Sequence, residues 1–403
     1  MSFRFFYCRM RRSRLSYPAT FFITCIRSRC SGNSRNFVPR FLQQGRKSMG
    51  ALRQVNLPFF NIVTSVYCTR TFLLLFCNNT LVFPFYSVIL NSIPPLIISP
   101  LSRVFLIIIQ SEGGFIMNVR KVVKTVNGIP AEDGAGVKLR RIIGHNDVDD
   151  FDPFLMLDAF DSHNPSDYIA GFPWHPHRGI ETVTYLIAGE IDHEDSLHNK
   201  GRITDGSCQW MTAGGGILHQ EMPQASEHMF GAQLWINLPK KDKMTVPAYN
   251  DIKAEAVIKV EENGARVAVI SGEYKGHKAP MQGNFVRTTY LDVALNSGQE
   301  WSIETSEKNT VFLYIVLGSL CIGGKMYENK QAILFSRDQS LGVTAGKSGA
   351  RFLFFSGKPL HEPIAWAGPI VMNTQEELDE AFRELQEGTF IKEREKAQHN
   401  YYR

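Results

Sequence analysis

Residues 171–185 read Gly-Phe-Pro-Trp-His-Pro-His-Arg-Gly-Ile-Glu-Thr-Val-Thr-Tyr, and residues 209–223 read Gln-Trp-Met-Thr-Ala-Gly-Gly-Gly-Ile-Leu-His-Gln-Glu-Met-Pro. Each stretch carries two potential metal ligands spaced two apart: His175 and His177 in the first, His219 and Glu221 in the second. Alternate residues of a strand share a face, about 6.6 to 7 Å apart along the backbone. Each pair can therefore aim two donor atoms into one interior, and four donors can converge. Pro176 has no N–H, which predicts an edge, a bulge or a strand entrance for the first pair. Gly214, Gly215 and Gly216 allow a tight turn and close backbone approach ahead of the second.

The surroundings are those of a β protein. Val119–Ile143 alternates apolar and charged residues around a Gly and Pro turn and reads as two half-buried strands. Asp147, Asp149, Asp150 and Asp152 precede the short apolar run Phe154–Leu157 and read as solvated turns. Short runs follow at Thr182–Ala188, Gln209–Thr212 and Gln233–Leu238. A second series at Phe285–Leu295, Thr310–Val316, Ala332–Phe335 and Arg351–Phe355 comes after the Lys-rich connection Lys240–Lys243. Many short strands with frequent turns predict sandwiches or barrels, here two in tandem. Thr374 with Glu377 makes a capping box, Leu378, Ala381, Phe382 and Leu385 keep helical spacing, and Gly388 stands at the C-cap. That pattern predicts one amphipathic helix packed on a barrel.

Charge divides the chain in two. Residues 1–116 hold 14 Lys or Arg against the single acid Glu112, net +13, whereas residues 117–403 hold 30 basic and 38 acidic residues, net −8. The overall charge of +5 therefore implies no nucleic-acid binding by the folded part. Cysteine divides likewise, with Cys8, Cys25, Cys30, Cys68 and Cys77 in the first segment and only Cys208 and Cys321 beyond it. Neither a disulfide framework nor a zinc spacing is present in the second part.

The first segment shows no sustained period and is read as an extension of no predicted fold. Arg9, Arg11, Arg12 and Arg14 beside Phe5, Phe6 and Leu15 have the composition of a mitochondrial presequence. The apolar runs 72–76, 81–90 and 104–109 are broken by Asn78, Asn79, Pro84, Pro94, Pro95 and Pro100, so no span of about 20 apolar residues exists. No membrane contact is expected. Asn78-Asn79-Thr80 matches a glycosylation acceptor without a secreted context. The preferred reading makes Met117 the natural start. The domains are then residues 1–116 as an extension, 117–242 as a metal-binding barrel, and 243–403 as a second barrel with the closing helix.

Three imidazoles and a carboxylate suit a divalent first-row ion, with iron, manganese, nickel, copper and zinc all compatible with the donors. Glu181 shares the parity of His175 and His177 and ranks second to Glu221 as the carboxylate ligand, because the Arg178-Gly179 bend interrupts that parity; its other reading is a hydrogen bond to a ligand imidazole. Gln220 is placed in the same outer role. His193 and His198, in the polar stretch Asp192–Lys200, are read as solvated, and His228 beside Met229 and Phe230 as packed.

With Asp152–Asp158, His193-Glu-Asp195 and Gln233–Pro239 added to the two opening stretches, the chain from Val119 to Lys392 resembles the pirin family of the cupin superfamily. The resemblance implies an all-β bicupin: two tandem jelly-roll barrels and a C-terminal α-helix. It implies iron(II) held by His175, His177, His219 and Glu221 in the first barrel. The second barrel would be metal-free, and its histidines, His277, His361 and His399, form no paired cluster. Gly171 lies closer to His175 than in the wider cupin pattern, and Gly214 stands where that pattern has Pro. Two functions follow from the resemblance. One is an oxygenase of the quercetin 2,3-dioxygenase type acting on a flavonol, with Glu221 as the catalytic proton acceptor. The other is a non-enzymatic, redox-sensing nuclear cofactor whose partner is a transcription factor. The expected location is cytoplasmic or nuclear, or mitochondrial if the extension acts as a presequence.

Overall fold

Alternating burial dictates the first strands. Val137–Ile143 hides Val137, Leu139, Ile142 and Ile143 and turns Lys138 to solvent, and it pairs with both Ile129–Asp133 and Phe154–Ser162. The computed structural model describes residues 119–392. Outside them it describes only the backbone of six short strands, Arg4–Tyr7, Phe22–Cys25, Arg53–Val55, Ser65–Tyr67, Arg70–Phe72 and Gln398–Tyr402. The presequence, the membrane-like runs, the glycosylation acceptor and the start at Met117 lie outside the residues described in full. Among the described residues, no helix is long and apolar enough to cross a membrane.

Two cupin β-sandwiches make up this region. The first sets an eight-stranded sheet, in which Ile180–Ala188 lies between Cys208–Thr212 and Met229–Asn237, against a four-stranded sheet. The four-stranded sheet runs in the order Phe172–His177, Ile217–Gln224, Glu190–Asp195, Lys200–Ile203. Phe172–His177 is thus an edge strand, as Pro176 requires, and its register slips between Phe172 and His175. The second sandwich is built around Thr310–Ile322 and Ser340–Gly357. Its interior packs Val267, Leu291, Leu313, Phe352, Phe354 and Trp301 together. The largest apolar cluster is shared, with Val183, Tyr185, Trp210 and Leu234 from the first sandwich meeting Tyr290, Phe312, Leu353 and Phe355 from the second.

The chain crosses the boundaries drawn from sequence. Val122–Asn127 does not pair with the strands that follow it: it adds to the second sandwich beside Gln331–Phe335. The stretch read as two strands up to Ile143 is therefore three, serving different sheets. Ala248–Ile252, beyond position 242, pairs with Cys208–Thr212 of the first sandwich. The C-terminal helix Gln375–Glu387 has both halves of its capping box, Thr374 with Glu377, and Gly388 in a left-handed C-cap at φ 72°. It packs Leu378 and Ala381 against Ile370, Met372 and Phe390, with Leu218 alongside. Leu218 sits on the outward face of the strand that carries His219, so the helix returns to the first sandwich. Cys208 is buried and Cys321 half-buried, both as free thiols.

Candidate metal centre

Strand alternation sorts the side chains of Ile217–Gln224. Ile217, His219, Glu221 and Pro223 are buried while Leu218, Gln220, Met222 and Gln224 are half-exposed on the other face. His175 lies opposite His219 across the strand pair, and His193 lies opposite Glu221 on the other side. The result is a polar cluster between the two sheets of the first sandwich.

Three imidazoles gather there. The ligating nitrogens of His175, His177 and His219 lie within 4.8 Å of one another. Nε2 of His175 stands 3.1 Å from Nε2 of His177, a contact that only makes sense for two lone pairs facing a shared point or for one stray proton. Their other nitrogens are engaged, since His175 Nδ1 meets the Pro173 carbonyl at 2.9 Å and His177 Nδ1 meets the Pro369 carbonyl at 3.1 Å. A carbonyl only accepts, so both rings carry their proton on Nδ1 and offer Nε2 as a lone pair. His219 Nε2 is buried with no hydrogen-bond partner. Such an orphan normally costs about 1 to 3 kcal/mol, and a metal ion would satisfy it. Burial pushes the His177 and His219 imidazoles well below their ordinary range, with His175 nearby adding to the effect, so both stay neutral as ligands must. The donors fit a divalent first-row ion.

Glu221 is held beside this group and does not join it. Its carboxylate accepts from Thr184 Oγ1 at 3.0 Å and from Gln233 Nε2 at 2.8 and 3.0 Å. The amide of Gln233 has no freedom to turn, because its oxygen takes the indole N–H of Trp235 at 3.2 Å. Trp235 in turn sets its ring perpendicular to His177 at 5.0 Å between centroids. Burial raises the Glu221 carboxyl, against the opposing pull of His175 and the bonds from Gln233 and Thr184. Thr184, Gln233 and Trp235 come from the eight-stranded sheet, and sequence reasoning gave them no role.

Three expectations are corrected. His193 is not solvated: it is 2% exposed, and its Nε2 lies 2.8 Å from His219 Nδ1. Burial pushes its imidazole down to about 3, helped by His175. Gln220 is on the opposite face from His219, where it reaches Glu194 at 3.4 Å. Glu181 does not touch a ligand imidazole. The turn at Gly179, φ 77°, moves the chain from the four-stranded to the eight-stranded sheet, so the parity of His175 does not carry through to Glu181. Its carboxylate accepts from Thr212 at 2.7 Å on the face shared with Val183 and Tyr185, and its second oxygen has no partner. His198 is exposed, and His228 is half-buried and stacks on Phe230 at 4.6 Å.

Burial lifts Glu181 from its ordinary 4.5 to about 7, with the bond from Thr212 and the nearby Trp210 opposing. Below about pH 4.5 the group is protonated both folded and unfolded and contributes nothing. Between about pH 4.5 and 7 the unfolded chain loses the proton first, so stability falls as pH rises, and above that the full penalty of about 3 kcal/mol remains. The loss of unfolding free energy between pH 5 and pH 8 is expected to be about 2 kcal/mol smaller in Glu181→Gln, by urea titration at both values. Equal losses in parent and variant would contradict the assignment.

Comparison with known proteins agrees with the fold. The family model described as Pirin matches residues 136–236, and the one described as Pirin C-terminal cupin domain matches residues 290–391. A Pseudomonas aeruginosa protein provisionally named quercetin 2,3-dioxygenase is 44% identical over 279 residues, covering 67% of this chain and 97% of its own. Human pirin is 38% identical over 278 residues, covering 67% and 94%. Among solved structures, quercetin 2,3-dioxygenase from Acinetobacter baumannii matches with a TM-score of 0.63 at 31% identity, covering 68% of this chain and 99% of its own.

Proposed function

Because this chain belongs to the pirin family of cupin proteins, we propose that it is an iron-dependent oxygenase of the quercetin 2,3-dioxygenase type, acting on a flavonol or a related small aromatic. The observation that carries the reading is the buried, partnerless Nε2 of His219 beside the two lone-pair nitrogens of His175 and His177. These three side chains would hold the ion, with Glu221 adjacent as fourth donor or as base. Nickel, copper, manganese and zinc suit the same donors. Bound there, iron would supply Lewis acidity toward a substrate oxygen and one-electron chemistry toward dioxygen, of which zinc could supply only the first.

The chain's own residues then have separable tasks. Burial that disfavours the ionised carboxylate makes Glu221 ready to take a proton, as from the 3-hydroxyl of a flavonol. Gln233 and Thr184 fix where that proton is received. Trp235 covers one side of His177 and keeps water from it.

The test adds quercetin and dioxygen to the iron-loaded full chain and follows loss of the flavonol absorbance with release of carbon monoxide. Turnover is expected. Its absence across iron, nickel, copper and manganese forms would remove the enzyme reading for this substrate.

One observation favours a second reading, a metal-dependent cofactor of transcription factors acting in the nucleus. His177 is followed by Arg178, whose guanidinium reaches Glu384 on the C-terminal helix at 2.7 Å, so a change of charge at the centre has a short path to an outer element. Protein binding that depends on the iron oxidation state, in a form with no turnover, would support it.

A further inference from the structure

Each ligand imidazole must carry one proton, and the partner of its outer nitrogen decides which nitrogen is left for the metal. His175 and His177 face carbonyls, which settles the matter for them. His219 does not. Its Nδ1 faces Nε2 of another imidazole, His193, at 2.8 Å, and an imidazole nitrogen can donate or accept.

Two arrangements are therefore available to the pair. In one, His219 donates from Nδ1 to His193 Nε2, and His219 Nε2 presents a lone pair to the point shared with His175 and His177. In the other, His193 donates from Nε2, the His219 proton moves to Nε2, and that proton points at the space shared with His175 and His177. Only the first can bind a metal. We infer that His193 is a positioning residue, acting as the acceptor that holds His219 in its metal-competent tautomer. The inference rests on the reading that the three imidazoles hold a metal.

The strand that carries His193 supports a fixed placement. In Glu190–Asp195 the residues Ile191, His193 and Asp195 are buried, while Glu190, Asp192 and Glu194 are half-exposed. His193 is seated opposite Glu221 by backbone pairing to the ligand strand, and its ring lies 4.9 Å from that of Tyr249. Its Nδ1 is buried with no hydrogen-bond partner. In the metal-competent arrangement that nitrogen carries the His193 proton. The cost of the unpaired donor is then offset by the metal bond at His219, so metal loading and the tautomer of His193 are coupled.

The test uses the full chain loaded with zinc, which is diamagnetic. Long-range proton–nitrogen spectra of labelled histidines should show the proton on Nδ1 in both His193 and His219. A His193 protonated on Nε2 in the loaded protein would overturn the inference without any variant. His193→Leu is expected to weaken zinc and nickel binding by about 10- to 100-fold and leave His219 a mixture of tautomers, while His193→Gln, whose amide oxygen still accepts, recovers most of the affinity. A folded His193→Leu that binds within threefold of the parent, or a His193→Gln as weak as His193→Leu, would also overturn it. The reading beneath fails separately: a parent chain that takes up no iron, nickel or zinc removes the metal itself and the inference with it.

Discussion

Replacing His219 with alanine is expected to abolish metal retention, with affinity falling by more than the about 100-fold that loss of an outer hydrogen bond costs, and to leave the fold standing. His219 is the middle of the group, with ring centroids 4.3 Å from His175 and 4.9 Å from both His177 and His193. Its removal takes away one donor and the packing that holds the others in line. Stability without metal should fall by about 1 to 3 kcal/mol, because relief of one partnerless nitrogen is outweighed by the lost packing and by His193 Nε2 losing its partner. With metal the difference becomes large. A ligand present at 100 times its dissociation constant stabilises the folded state by about 2.7 kcal/mol, so the parent melts higher in nickel or iron and the variant does not. Metal content after dialysis and melting with and without the ion check this; an equal rise in both proteins would refute it. His177→Ala is the less clean experiment, since His177 also holds the Pro369 carbonyl of the C-terminal segment.

What could be read in advance follows from the range of each signal. The spacing of two within His175-Pro-His177 and His219-Gln-Glu221 is local, and a strand converts it directly into a shared face. The edge position of Pro176 and the capping box of Thr374 with Glu377 are local as well, and all of these appear in the structure. His193 escaped because its strand turns Glu190, Asp192 and Glu194 outward, so the segment looked like a charged loop and not an alternating strand. The bend at Arg178-Gly179 was visible in the sequence, but not that it carries Glu181 to the other sheet, away from the ligand imidazoles and onto Thr212. At Gly179 an added Cβ would lie 1.9 Å from the Val371 carbonyl oxygen, so the turn and the approach of the C-terminal segment are one feature. Thr184 and Gln233 looked like ordinary polar residues in apolar runs, and their purpose depends on the opposite sheet. The return of residues 365–390 to the first sandwich is a contact across some 200 positions, with no trace in any local pattern.

That return supplies the second large effect: Arg178→Ala should destabilise the protein by about 1 to 3 kcal/mol, the usual cost of leaving a buried acceptor, here the Phe390 carbonyl, without its donor, while Glu384 keeps Lys392 as a partner. Arg178 is 1% exposed and lies immediately after His177. Its Nη2 donates to Glu384 at 2.7 Å and to the Phe390 carbonyl at 2.9 Å, and its guanidinium lies 4.2 Å from the centre of the Phe390 ring. Beside it the buried Lys243 donates to the carbonyls of Gly179 and Val371 at 2.9 and 2.8 Å, and the Val371 N–H bonds to the Arg178 carbonyl at 3.1 Å. The C-terminal segment is thus tied to the ligand strand through both side chains and backbone. Arg178→Lys should recover little, because one ammonium cannot span the carboxylate, the carbonyl and the ring together. Loss of the tie also frees the Pro369 carbonyl that orients His177, so metal affinity should fall by about 10- to 100-fold in the same variant. Amide hydrogen exchange should rise first across residues 370–390 and on the outward face of the His219 strand, because opening begins where the latch is lost. A melting temperature within about 2 °C of the parent, or exchange that rises evenly over both sandwiches, would show that the segment is held by the apolar contacts of Leu378, Ala381 and Phe390 alone.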